Sequence, residues 1–281
     1  SSVKSLTFLG DMFDGVQCPC ILLQLIATGK PLSTAGMMIE DRTRTYTIAM
    51  ERTVVPENFS FRMTDEEYRV LEKIKNSIPV CYLADHADFA LGIVTGNNKK
   101  FLSAEKTENS EMVLKGTDIC KYHINPVKQY LRFEPEQFQQ VAPLEIYRAP
   151  EKLLYRFISN QLVVAYDDRQ MLSLNSCNIV IPKIDGMQIK YILAILNSSV
   201  SQFVYQKEFH SIKVLRAHME HIPIPRVGKA IQNEIIAMTE PLICGMGKEA
   251  AETCQKRLDC RIMDLFRFSA EEQWIIRHAL H

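Results

Sequence analysis

Four stretches of this chain combine residue types that can grip a polyanion or read a flat hydrogen-bonding surface. The first is Gly96-Asn97-Asn98-Lys99-Lys100. Glycine and asparagine tolerate positive φ, so a tight turn between two short strands is expected here. Its tip offers two amides and two ammonium groups. An Asn amide can meet an adenine edge with two hydrogen bonds, and a Lys can hold a phosphate. A plain solvated hairpin explains the same residues. The second stretch sets Lys121, Lys128 and Arg132 beside Tyr122, Tyr130 and Phe133, with no acid between Lys121 and Arg132. Such interleaving suits nucleic acid, and equally suits strands with buried rings and snorkelling lysines. The third is a connector bearing Lys207, His210, Ser211, Lys213 and Arg216. The fourth holds Arg148, Lys152 and Arg156, the last two one helical turn apart.

Catalytic chemistry finds no comparable footing. The chain has no G-x-G-x-x-G sequence and no P-loop. Methyl transfer to a flipped adenine needs an Asn/Asp-Pro-Pro-aromatic loop. Asn125-Pro126-Val127 lacks both the second proline and the aromatic. A Mg²⁺ nuclease centre wants an Asp followed by Glu-x-Lys on a strand. The nearest case, Gln188-Ile189-Lys190 after Asp185, stands too close and begins a helix. His218 and His221 are spaced i, i+3 rather than i, i+4 and have no evident third ligand, so ordinary polar histidines are expected. No catalytic, cofactor-binding or metal-ligating residue is assigned.

Composition narrows the class further. The 281 residues are 47% apolar and 23% charged, an ordinary folded composition with room for one large core or two modest domains. Lys plus Arg equals Asp plus Glu at 33 each, which argues against binding by bulk electrostatics but allows a basic groove on a neutral molecule. The eight cysteines form no C-x-x-C pair, so a reducing cytoplasm is expected. The apolar run at residues 21–27 contains Gln24 and is too short to span a bilayer; no membrane partner is expected.

The elements that must position these residues follow from pattern. Residues 1–30 read as a β-hairpin whose second strand, apolar on both faces, is expected to be covered on both, with little after it to complete a sheet. Tyr46, Ile48 and Met50 alternate as in a half-buried strand, and Thr64 with Glu67 makes a capping box for a helix. Residues 80–182 read as short strands broken by turns, among them Asp167-Asp168 and Asn175-Ser176. Two helices follow, interrupted at Asn197-Ser198-Ser199, before Ile222-Pro223-Ile224-Pro225, which cannot be helix. From Gly228 the pattern is helical, with Ser269 and Glu272 capping the last helix. The expected class is α+β, in four segments: a terminal hairpin (1–30), a linker strand and helix (31–79), a mixed α/β recognition domain (80–228) and a helical C-terminal region (229–281).

Taken in order, several pieces resemble the TaqI-like C-terminal specificity domain of restriction-modification adenine-N6 DNA methyltransferases. They are Gly92-Ile93-Val94-Thr95-Gly96-Asn97-Asn98-Lys99-Lys100-Phe101, Leu114-Lys115-Gly116-Thr117-Asp118-Ile119, residues 122–131 and Lys152-Leu153-Leu154-Tyr155-Arg156-Phe157. Asp167-Asp168, Leu193-Ala194-Ile195-Leu196-Asn197-Ser198-Ser199 and His221-Ile222-Pro223-Ile224-Pro225 complete the set. Phe13-Asp14-Gly15-Val16 and the strand after it look like the last hairpin of the family's catalytic sheet. The residues from Leu258 to Phe266 and from Ser269 to Ile276 look like its closing helices.

The resemblance implies a recognition domain facing double-stranded DNA across from an upstream methyltransferase catalytic domain. S-adenosylmethionine would bind that missing domain and not this fragment. The implied DNA contacts are Asn97 and Asn98 for base edges, and Lys99, Lys100, Arg148, Lys152, Lys207, Lys213 and Arg216 for phosphates or bases. Two other classes stay open. A nuclease with an unrecognised site would show carboxylates converging on a metal. A protein-interaction module would show a large apolar face on residues 229–281 and no basic groove.

Overall fold

The computed structural model describes residues 2–16, 18–29, 33–52, 61–209 and 211–279. By contacts the chain divides into two compact units, Ser1–Glu72 and Lys73–His281.

In the first unit, β1 (Ser2–Asp11) and β2 (Pro19–Ile26) form the expected antiparallel hairpin. The strands that complete its sheet come from residues further along: β3 (Met38–Glu40) runs parallel to β1, and β4 (Thr45–Thr47) pairs antiparallel with β3. The order β2-β1-β3-β4 leaves β2 at an edge. Val3, Leu6, Met37, Ile39, Ile48 and Phe61 make the core on the β1 and β3 side. This corrects the expectation of a covered second strand. Among the described residues, Ile21, Leu22, Leu23, Leu25 and Ile26 are 41–58% exposed, because an edge strand has a neighbour on one side and the core packs elsewhere.

Helix α1 (Asp65–Asn76) begins at the predicted capping box: the Thr64 N–H donates to Glu67 Oε2 at 2.8 Å, and the Glu67 N–H to Thr64 Oγ1 at 3.3 Å. Asp65 also holds the buried Arg52 guanidinium at 2.7 Å and accepts the Ala49 N–H, tying the first turn to the chain after β4.

The second unit begins with β5 (Val80–Cys81) and β6 (Ala87–Ala90), then the one-turn helix α2 (Asn98–Phe101). Next come β7 (Leu102–Ser103), β8 (Ser110–Leu114), β9 (Tyr130–Arg132) and the short helix α3 (Leu144–Tyr147). The strands β10 (Lys152–Arg156), β11 (Val164–Asp167), β12 (Leu172–Ser173) and β13 (Cys177–Pro182) follow. Helices α4 (Ile189–Asn197), α5 (Ser199–Glu208) and α6 (Arg216–Glu220) precede β14 (Ile224–Pro225). The chain then runs through α7 (Lys229–Ile243), α8 (Lys248–Leu265) and α9 (Ala270–His278).

Two four-stranded sheets, β11-β10-β13-β6 and β12-β8-β9-β7, share one core that includes Val113, Leu131, Leu154, Ala165, Leu172 and Ile179. β14 pairs with β5, so the Ile-Pro-Ile-Pro connector is extended, as proline requires. Helix α4 is mostly apolar and is buried from Tyr191 to Asn197, packed on β11 and α7.

The break between α4 and α5 has a specific cause. Asn197 grips both backbone groups of Val164, accepting its N–H at 3.1 Å and donating to its carbonyl at 2.8 Å. Ser198 then caps α5 by accepting the Ser201 N–H, and Asp259 of α8 accepts from the Ser199 N–H and hydroxyl. Across residues 229–279 the exposed large apolar side chains are Met246 and Trp274, the latter stacked on His278. No helix of the described residues is long and apolar enough to cross a membrane.

Candidate nucleic-acid interface

The turn at residues 174–177 is anchored by hydrogen bonds from several segments of the second unit. Its backbone is held from three sides. The Leu174 N–H donates to Leu114 O at 2.7 Å, the Asn175 N–H to Ile93 O at 3.1 Å, and the Phe157 N–H to Ser176 O at 3.0 Å. Two glycines make this convergence possible. A Cβ on Gly92 would fall 2.1 Å from Leu174 O, and one on Gly116 would fall 2.5 Å from Ser176 O. Neither position has room for a side chain. Gly116 also donates its N–H to Ser176 Oγ at 2.9 Å, while the Arg156 guanidinium braces the same turn by donating to the carbonyls of Gly116 and Ile119.

On this platform lies a groove made of three adjoining clefts. The central one, about 380 Å³, is lined by Asn98, Lys99, Lys115, Gln129, Asn175 and Ser176 among others. The second shares Lys115 and Gln129 with it and extends past Lys128. The third shares Asn98 and Asn175 and extends past Thr95 and Gln139. Lys99, Lys115 and Lys128 are exposed. Gln129 Oε1 is buried with no hydrogen-bond partner among the described residues. Amide edges between lysines can meet bases and phosphates respectively.

The sequence-predicted residues fall into three groups. Asn97, Asn98, Lys99 and Lys100 are exposed. Gly96 has the expected positive φ, +76°. The expected second strand is instead the helix α2, and the reason is local capping. Asn97 Oδ1 accepts the Lys100 N–H at 3.3 Å, and Asn98 Oδ1 accepts the Thr95 hydroxyl at 2.6 Å. Lys100 rests over the Phe101 ring and reaches Gln137 Oε1, whereas Lys99 makes no hydrogen bond or ion pair among the described residues.

Lys213 and Arg216 form the second group, on the strip before the Ile-Pro-Ile-Pro connector, and both are exposed. Arg216 pairs with Glu220 at 2.7 Å and lies over the Phe89 ring. This strip is tied to the groove by backbone bonds: the Val214 N–H donates to Phe157 O, and the Phe157 N–H to Ser176 O. His210 lies outside the described residues. His218 accepts the Leu215 N–H on Nδ1 at 3.2 Å and stacks on Phe209, a structural role; burial lowers its pKa.

In the third group two of the three residues, Lys152 and Lys207, are buried, which corrects their expected role. Lys152 has no exposed surface; it forms an ion pair with Asp167 at 2.6 Å and donates to Tyr147 O, and it lies on a strand rather than a helix. Lys207 is buried on α5 against Phe203. Arg148 is engaged by Glu111 at 2.5 Å and Gln170 O at 2.7 Å. A buried cation cannot reach a phosphate, so Lys152 and Lys207 belong to the fold in this structure.

Lys115, Gln129, Gln139, Asn175 and Ser176 are the groove residues that residue-type reasoning passed over. Asn175-Ser176 was visible as a turn signal, but nothing in it revealed the neighbouring lysines. No group of three or more His, Cys, Asp and Glu side chains that could hold a metal exists among the described residues.

The comparisons with known proteins can be set beside this geometry. Nothing among curated proteins matches the chain. Among solved structures, it is similar to the Type IIL restriction-modification enzyme MmeI in complex with DNA, at 9% identity and TM-score 0.56, over 95% of this chain and 43% of that one. It is also similar to the HsdS subunit from Thermoanaerobacter tengcongensis, at 14% identity and TM-score 0.41, over 77% and 49% of the two chains. A third is the type IIG restriction endonuclease BpuSI, at 11% identity and TM-score 0.45, over 99% and 43%. The MmeI likeness shows a shared fold; the lower scores of the other two add no argument. The chain spans about half the length, or less, of the solved chains it matches. Residues 111–224 match the TaqI-like C-terminal specificity domain, a range that contains the whole platform turn and about half of the residues that line the groove.

Proposed function

We propose that this chain is the DNA target-recognition part of a restriction-modification adenine-N6 DNA methyltransferase, and that it performs no chemistry itself. The observation that carries this reading is the groove that adjoins the matched range, lined by Asn98, Gln129 and Asn175 together with Lys99, Lys115 and Lys128. The ammonium groups would hold phosphates of double-stranded DNA and fix the register, while the amides would meet base edges. The platform glycines and Arg156 keep the reading turn from shifting when a duplex docks.

Flipping and methylation of the adenine would fall to an upstream catalytic domain that binds S-adenosylmethionine. The exposed apolar side chains of β2 suit a surface packed against that domain. A cytoplasmic setting fits eight free cysteines, all unpaired among the described residues. The test is selection of duplexes from a random library by the chain, alone and joined to its catalytic domain, with calorimetry for S-adenosylmethionine. Enrichment of one sequence, with cofactor binding confined to the joined protein, is expected. Sequence-blind binding, or tight cofactor binding by the chain alone, would overturn the reading.

A further inference from the structure

Among the described residues of the second unit, seven large apolar side chains are exposed, and three of them stand at one place: Ile158, Ile212 and Leu215. Ile158 belongs to the loop joining β10 to β11, while Ile212 and Leu215 belong to the strip before α6. The two segments form a short antiparallel ribbon. Ile158 lies opposite Lys213, flanked by the Ser159 N–H donating to Ile212 O at 2.9 Å and the Val214 N–H donating to Phe157 O at 2.7 Å. Bonds that flank a pair in this way bring its two side chains close together on one face. From inside, Val214 is buried, and the buried Tyr205 donates its hydroxyl to Ser211 O at 3.1 Å. The ribbon is thus clamped beneath while its outer side chains stand in solvent. Ile158, 62% exposed, is the most open of the seven. Scattered exposed apolar residues are ordinary; a cluster of them on a fixed backbone is the form a recognition surface takes.

Charge selects the partner. No Asp or Glu occurs between Glu151 and Asp167, or between Glu208 and Glu220, so both segments of the ribbon are free of acid. Lys213 is exposed, and its ammonium has no hydrogen bond or ion pair among the described residues. Arg216 is exposed as well, held by Glu220 at the far end of α6. An unpaired lysine beside apolar side chains is out of place in the centre of a protein interface, where lysine is depleted. It complements a duplex, which offers phosphates to the ammonium and the thymine methyl to the apolar side chain. The major groove also has the width for a two-stranded ribbon. Phe157, the neighbour of Ile158, donates its N–H to Ser176 O in the platform turn, which fastens the ribbon to the groove's own backbone.

We propose that this ribbon enters the major groove of double-stranded DNA, where Ile158 reads a thymine through its 5-methyl group and Lys213 holds a neighbouring phosphate. The proposal rests on the reading of the chain as a DNA target-recognition part and gives it a second means of discrimination. The amides of the groove ask for hydrogen-bonding edges. Ile158 asks for the one apolar group that the major groove displays. Uracil presents the same hydrogen-bonding edge as thymine without the methyl, so exchanging the two isolates the contact.

The test measures binding of the whole chain to the duplex it selects from a random library, with each thymine of both strands replaced in turn by uracil. At one position the wild type should bind uracil about fourfold more weakly, the worth of one buried methyl group. Ile158→Ala should bind thymine and uracil alike at that position. Lys213→Ala should weaken both duplexes equally and keep the preference, as should Met246→Ala, an exposed apolar position outside the ribbon. Circular dichroism checks that each variant folds, and the uracil scan of the wild type stands by itself should Ile158→Ala fail to. A selected sequence in which every thymine tolerates uracil overturns the proposal and leaves the target-recognition reading standing. So does a preference for the methyl that persists in folded Ile158→Ala, or one that Met246→Ala abolishes. If no sequence is enriched, the target-recognition reading falls and this proposal falls with it.

Discussion

Lys152 Nζ lies 2.6 Å from Asp167 Oδ2, and neither residue has exposed surface, so this cation of β10 is committed to the interior. Asp167 also accepts the N–H groups of Arg169 and Met171, which makes the pair the anchor of the turn after β11. Lys152→Met should therefore cost about 3–5 kcal/mol, because it strands a buried carboxylate. Adding Asp167→Asn removes the stranded charge and should restore part of the loss. Urea denaturation followed by circular dichroism measures both. A loss below about 1 kcal/mol for the single variant would place the pair at a solvated site.

Gly92 is the tightest point of the platform. Gly92→Ala places a methyl against the Leu174 carbonyl and should destabilise the second unit by about 1–3 kcal/mol. It should also displace Asn175, whose N–H bonds to Ile93 O. The expected signature is a lower denaturation midpoint together with weakened DNA binding. Unchanged values of both would mean that the loop accommodates the methyl without cost.

Asn175 and Asn97 should behave differently, although both are exposed amides. Asn175 lines the groove, so Asn175→Ala should reduce discrimination at one base pair by roughly 1–3 kcal/mol and leave stability nearly unchanged. Asn97 caps α2, so Asn97→Ala should cost about 0.5–2 kcal/mol of local helix stability and act on DNA only indirectly. Competition binding with single-substituted duplexes separates the two. Reversed effects would move the base-reading role onto α2.

His218 gives the strip before β14 a pH dependence. Its folded pKa is depressed below 6.5, with burial the main cause, and its Nδ1 accepts the Leu215 N–H. The unfolded chain therefore binds a proton more readily than the folded one as pH falls. The stabilisation is fully present above 6.5 and is lost progressively below it, as pH drops towards the folded value. Hydrogen-exchange protection of residues 211–221, taken relative to the intrinsic rate at each pH, should fall across that window, and His218→Gln should flatten the change. Protection that holds or rises on acidification would contradict the assignment.

Much of the element pattern was legible because its causes are local. The Thr64–Glu67 and Ser269–Glu272 capping boxes, the break at Asn197-Ser198 and the extended Ile-Pro-Ile-Pro segment each depend on residues a few positions apart. The candidate site was legible in half. Lys99 and Asn98 stand where the glycine turn suggested. Lys115, Gln129 and Asn175 were missed because only the close approach at Gly92 and Gly116 brings their segments together. Lys152 and Lys207 were misread because a cation in sequence carries no sign of the acid or ring that buries it. The edge position of β2 was likewise invisible, since its apolar pattern is that of a covered strand.

The central claim is that the groove grips phosphates with Lys99 and Lys115. Its most direct test is the slope of log K against log salt for a duplex carrying the selected sequence. The account predicts steep salt dependence for the wild type. The double variant Lys99→Ala/Lys115→Ala should have a slope shallower by about two units, roughly one for each phosphate contact removed, with folding unchanged. Lys207→Ala, a buried position, should leave the slope where it was. A double variant with the wild-type slope, or a wild type whose DNA binding ignores salt, would contradict the claim.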